Sequence, residues 1–84
     1  MDHAIKSTET AVIKTIENAL ELPPGSVDMK TSADNLAKWD SIGHISILVG
    51  LNNLYEGQIS ELPEFAQANS VEIILEILRK HKLL

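Results

Sequence analysis

The chain has 84 residues, a mass of 9.2 kDa and no cysteine, which predicts one domain (1–84) with a thin core and excludes a disulfide framework or a thiolate metal site. Twelve acidic residues against seven basic ones leave a formal charge of −5, which repels phosphate backbones and anionic lipid, so nucleic acid is not an expected partner. No apolar run approaches the roughly 20 residues of a membrane span, and the opening Met-Asp-His-Ala-Ile-Lys lacks the apolar stretch of a signal peptide, so a cytoplasmic protein is expected.

Ile5, Val12, Ile13, Ile16 and Leu20 recur at helical spacing, with Lys6, Glu9, Lys14, Glu17 and Asn18 off that stripe, which predicts an amphipathic helix over residues 3–21. It must stop by Pro23-Pro24-Gly25, because prolines lack the N–H donor and force the preceding residue out of the helical region. Residues 22–40 are rich in turn formers, and a connection of that length in a small domain needs pins; Val27, Met29, Leu36 and Trp39 are the candidates. A second apolar segment runs from Ser41 to Tyr55, opened by Asp40, whose carboxylate can cap the first free N–H groups, and closed by Gly57.

Ile59 to Phe65 has room for one short helical turn with Pro63 near its start. Asn69 and Glu72 are spaced as a capping box and open a last helix that carries Val71, Ile74, Leu75 and Leu78 and ends near Lys82. The basic run from Arg79 to Lys82 then reads as a solvated helix end that complements the helix dipole. The prediction is an all-α fold of three long helices and one short one. Its core draws on the stripe of the first helix, Leu36, Ile47, Leu48, Leu51, Leu54, Tyr55, Ile59 and the apolar face of the last helix.

The second helix is unusual in carrying two apolar stripes when projected at about 100° per residue. Ile47, Leu48, Leu51, Leu54 and Tyr55 form a broad one suited to the core; Ile42, Ile45 and Val49 form a second on nearly the opposite side. A small domain leaves such a stripe uncovered when a partner covers it. Beside it stands Asp40-Ser41-Ile42-Gly43, and a phosphate ester on Ser41 would lie where free N–H groups and the helix dipole favour negative charge.

At these residues the chain resembles a known family. Trp39-Asp40-Ser41-Ile42-Gly43-His44 is similar to the Asp-Ser-Leu phosphopantetheine attachment motif of acyl carrier and peptidyl carrier proteins. The length, the helix before a long polar loop, Leu36 just upstream, and the short helix before an amphipathic last one extend the resemblance over nearly the whole chain. It implies a freestanding, monomeric four-helix bundle without catalysis of its own. A phosphopantetheinyl transferase would esterify Ser41 with 4'-phosphopantetheine from coenzyme A, with Asp40 as the motif's acid and helix cap. The arm would carry an acyl or aminoacyl group as a thioester from a loading ligase to downstream acyl-transferring enzymes.

Ile42 replaces the motif's leucine, a volume-conserving change. Gly43, Ser46, Asn52 and Asn53 stand where carriers of general fatty acid synthesis have acids, leaving Glu56 with Asp40. The resemblance therefore implies a dedicated carrier that docks through Ile42, Ile45, Val49 and Glu56, more by apolar contact than by charge.

Two other readings are open to the same residues. Asp40, Ser41 and His44 could form a nucleophilic set, but no strand-to-helix elbow or second loop for an oxyanion hole accompanies them. His3, His44 and His81 are too scattered to pair as metal ligands on one helix face. Alternatively, the stripe Ile42, Ile45 and Val49 could bind a partner helix in a non-catalytic interaction domain that never carries an arm.

Overall fold

A computed structural model describes residues 8–84. They form helices α1 (Glu9–Ala19), α2 (Ser41–Leu54) and α3 (Val71–Lys80), with two 3-10 turns, Ile59–Glu61 and Pro63–Gln67, between α2 and α3. Among the described residues there is no strand; an isolated antiparallel bridge joins Ser32 to Ser70. The fold class is all-α, as the periodicity predicts. The single short helix expected before α3 is instead split in two, because Leu62 is extended (φ −116, ψ 90) ahead of Pro63, which disfavours the helical region for the residue before it. No helix of the described residues is long and apolar enough to cross a membrane.

Thr8 caps α1 by accepting the Ala11 N–H at 3.1 Å; the expected start at residue 3, and Ile5 with it, lies outside the described residues. The other end falls before the prolines. Glu21 takes a left-handed φ of 57°, the Leu22 N–H donates to the Glu17 carbonyl at 2.9 Å and the Glu21 N–H to the Asn18 carbonyl at 3.1 Å. These two bonds satisfy carbonyls that a helix end leaves free, so the chain has already reversed when it reaches Pro23.

α2 ends likewise, with Glu56 at φ 55° and the Gly57 N–H on the Asn52 carbonyl at 2.8 Å, so Gly57 lies one residue past the turning point. α3 ends with Lys82 at φ 61° and the Leu83 N–H on the Leu78 carbonyl at 2.8 Å. At its start the cap is Ser70, whose hydroxyl accepts the Ile73 N–H at 3.1 Å, and not Asn69. The expected capping box is therefore out of register by one residue, and the Asn69 backbone carbonyl instead accepts the Ala33 N–H at 2.9 Å.

Val12 and Ile16 of α1, Ile47 and Leu51 of α2 with its C-cap Tyr55, and Val71, Ile74, Leu75 and Leu78 of α3 form the buried core. Ile13, Leu36, Leu48 and Leu54, expected inside, pack against it while partly exposed. Leu20 and Ile59, also expected inside, and Val27, Trp39, Phe65, Ala68, Ile77 and Leu83 complete it. α1 and α2 approach closely at Gly50, where a β-carbon would lie 3.0 Å from Thr15 Cγ2.

The long loop is held from both sides. Glu17, expected on the solvent face of α1, is buried, and its Oε2 accepts the N–H groups of Gly25 at 2.9 Å and Val27 at 3.1 Å. A carboxylate accepting two N–H groups is a strong acceptor, which is what lets it sit inside. Val27 and Trp39 act as pins and Leu36 partly so, whereas Met29 is exposed and pins nothing. Further on, the Thr31 carbonyl accepts the Val71 N–H at 3.0 Å, which stitches the loop to the start of α3.

The basic run forms an exposed helix end, as predicted, and three of its members are also paired. Arg79 meets Glu9, while Lys80 (2.8 Å) and His81 (2.5 Å) both meet Glu64 on the second 3-10 turn. Hydrogen bonds from Lys80 and then His81 hold the Glu64 carboxyl below its ordinary value. A lowered folded-state value means that this clasp is intact at neutral pH and is lost as the pH falls through it.

Candidate functional site

The site is built at the start of α2. Asp40 is extended (φ −94, ψ −167) and its Oδ1 accepts the Gly43 N–H at 2.8 Å, so the capping role predicted for it is realised. Ser41 is the first residue of the helix and is exposed; with Asp40 as the cap, its hydroxyl is not required for one. On the stripe next to it, Ile42, Ile45 and Val49 are 76%, 61% and 56% exposed. Neither the long loop nor the short turns cover them. Glu56, grouped with these residues in the sequence, is exposed but lies past the far end of α2, roughly 20 Å from Ser41 at 1.5 Å of rise per residue.

Gly43 has a reason that its sequence context hides. A β-carbon there would meet the Lys38 carbonyl oxygen at 2.1 Å and Leu20 Cδ2 at 2.9 Å. No acid could occupy this position, whatever charge a partner preferred. Gly43→Ala, which on an open helix face would stabilise by roughly 1 kcal/mol, is expected here to destabilise by about 1–3 kcal/mol, because the obstruction is backbone. An unchanged or raised denaturation midpoint would show that the Lys38 carbonyl can move aside.

His44 ties the site together. The Trp39 indole N–H donates to His44 Nδ1 at 3.1 Å, and His44 Nε2 lies 2.9 Å from the Phe65 carbonyl. An indole nitrogen can only donate and a carbonyl can only accept, so the ring is neutral with its proton on Nε2. Both nitrogens are thereby engaged and neither is left for the Ser41 hydroxyl. Asp40, Ser41 and His44 are neighbours without forming the hydrogen-bonded chain that a nucleophilic set requires. Among the described residues no group of three or more His, Cys, Asp or Glu could hold a metal ion.

A cleft of about 560 Å³ opens beside Ser41, lined by Trp39, Asp40, His44, Ile45, Ala66 and Asn69 among others. Ile45 and Ala66 also line a neighbouring groove of about 340 Å³ between α2 and the two short turns, walled by Leu48, Val49, Ile59, Leu62 and Phe65. The far wall is absent from the sequence reading of the site. Its signal is there, however: Ile59, Leu62 and Phe65 recur every third residue, the period of a 3-10 helix. Comparison of the chain with known protein families, curated proteins and solved structures returned no match.

Proposed function

We propose that the chain is a freestanding carrier of the acyl or peptidyl carrier type, cytoplasmic, in which the paired 3-10 turns serve as the short helix of a four-helix bundle. Ser41 receives 4'-phosphopantetheine from coenzyme A through a phosphopantetheinyl transferase. The arm then takes an acyl or aminoacyl group from a loading ligase and presents it, as a thioester, to downstream acyl-transferring enzymes. The observation that carries this reading is the setting of Ser41: an exposed hydroxyl at the first position of a capped helix, with an uncovered apolar stripe beside it. A phosphodiester there meets free N–H groups and the positive end of the helix dipole. The test is incubation with coenzyme A and a broad-specificity transferase, followed by intact mass. One added phosphopantetheinyl group supports the reading, and an unchanged mass overturns it.

Docking should run through the stripe. Ile45→Asp is expected to leave the fold intact, since a charge at a side chain already 61% exposed meets little desolvation. It should weaken transfer of the arm or its cargo, and wild-type binding to partner enzymes should depend only mildly on salt. A titration at low and high ionic strength checks this: strong salt dependence in wild type, with no loss in the variant, would sink the docking account and leave Ser41 untouched. The same exposure of Ile42, Ile45 and Val49 favours, as a second reading, an interaction domain that binds a partner helix without any arm. That reading predicts no mass increase.

A further inference from the structure

Trp39 is buried at the last turn of the long loop, and Phe65 is buried in the second 3-10 turn; His44, in the first turn of α2, bonds to both. The indole and imidazole rings run nearly parallel, 20° apart, with centroids 6.3 Å from each other. Three separate segments of chain thus meet at one imidazole, and Trp39, His44 and Ala66 are walls of the cleft beside Ser41.

The two bonds differ in what a second proton does to them. Imidazolium donates from both nitrogens. At Nε2 the bond to the Phe65 carbonyl survives and becomes charge-assisted. At Nδ1 a new N–H would face the indole N–H, donor against donor, and that bond is lost. We infer that His44 is a positioning residue that works as a proton-gated latch. Neutral, it fastens Trp39 and the segment running into Ser41 against α2. On gaining a proton it releases that segment while keeping its hold on the 3-10 turn.

Few other charges face this ring. The charged residues nearest it in the chain, at the end of the long loop, are Lys38 and Asp40. The Asp40 Oδ1 is engaged with the Gly43 N–H, and Lys38 lines a separate cleft on another side of the helix start with Leu20 and Ile42. From the second 3-10 turn there is Glu64, whose carboxylate is taken by Lys80 and His81 at the end of α3. Ala33 and Asn69, which close the cleft from the loop and the start of α3, are uncharged. The inference needs no arm on Ser41, so it stands or falls separately from the carrier reading.

Trp39 is the chain's single tryptophan, so its emission reports the latch directly. The unmodified full chain is titrated from about pH 8 to about pH 5, the window in which imidazole changes charge. Wild type is expected to give a single-step red shift with helical circular dichroism unchanged. The step should vanish in His44→Asn, whose amide cannot titrate, and persist in His81→Asn and His3→Asn. Absence of a step in wild type, its survival in His44→Asn, or its loss in His81→Asn would overturn the latch. A second measurement does not depend on any variant folding. Nitrogen-15 shifts of the wild-type imidazole at neutral pH should report the Nε2–H tautomer, and an Nδ1–H tautomer would equally overturn the proposal.

Discussion

Ser41→Ala is expected to abolish addition of the phosphopantetheinyl group completely while moving stability by no more than about 0.5 kcal/mol, the range of ordinary surface substitutions. The two halves of this result come from different atoms. The nucleophilic oxygen belongs to Ser41, whose side chain is exposed. The cap belongs to Asp40, whose Oδ1 holds the Gly43 N–H at 2.8 Å. Removing the hydroxyl therefore removes the attachment point and leaves the helix start bonded as before.

The other serines are poor substitutes. Ser26 and Ser60 donate their hydroxyls to the carbonyls of Pro23 and Gly57, Ser70 caps α3, and Ser32 accepts the Asp34 N–H. Ser46 is half-buried along α2, and Ser7 lies outside the described residues. Intact mass after transferase treatment, with a thermal melt of the same sample, reads both halves. Retained addition in Ser41→Ala would move the site to one of these serines. Lost addition with a collapsed melt would show that the hydroxyl holds the fold after all.

Leu51→Ala is expected to cost about 2–5 kcal/mol, the range for a fully buried leucine truncation. Leu51 has no exposed surface, and it sits one turn from Ile47 and from the C-cap residue Tyr55, both also fully enclosed. Domains of ordinary stability hold about 5–15 kcal/mol in total, so this one side chain accounts for a large share. The denaturant midpoint should fall with an unchanged slope. A midpoint within error of wild type would mean that the surroundings of Leu51 close over the missing atoms.

What the sequence discloses and what it conceals divide along a physical line. The start of α2 is legible because an aspartate before an apolar run is a local signal, and the uncovered stripe is legible because three aliphatic residues recur on one face of one helix. Periodicity says which face of a helix is apolar; it does not say what a distant segment brings to the other face. Glu17 looks like a solvent residue until the backbone of Gly25 and Val27 arrives to donate to it. Gly43 looks like a missing acid until the Lys38 carbonyl is found lying 2.1 Å from where its β-carbon would be. His44 reads as a member of a nucleophilic set, and its actual partners are one loop and one turn away. The cap of α3 is missed by one residue because Asn69 and Ser70 are both good caps, and backbone pairing with Ala33 decides between them.

The three helix ends carry one more implication. Each closes around a residue with a side chain in the left-handed region, Glu21, Glu56 and Lys82. L-residues lose about 1 kcal/mol there relative to conformations they prefer. A glycine at any of the three would relieve that strain without touching a hydrogen bond, since the bonds are made by backbone. Ser41, by contrast, sits at the opposite pole of α2, on a helix start whose geometry tolerates little change. Robustness and chemistry are thus written at opposite ends of α2. A lineage of such chains could drift up or down in melting temperature through Glu56 and Lys82 while the surface presented around Ser41 stays the same, whereas Glu21 shares a cleft with Asp40 and Ile42 and is not free in that way.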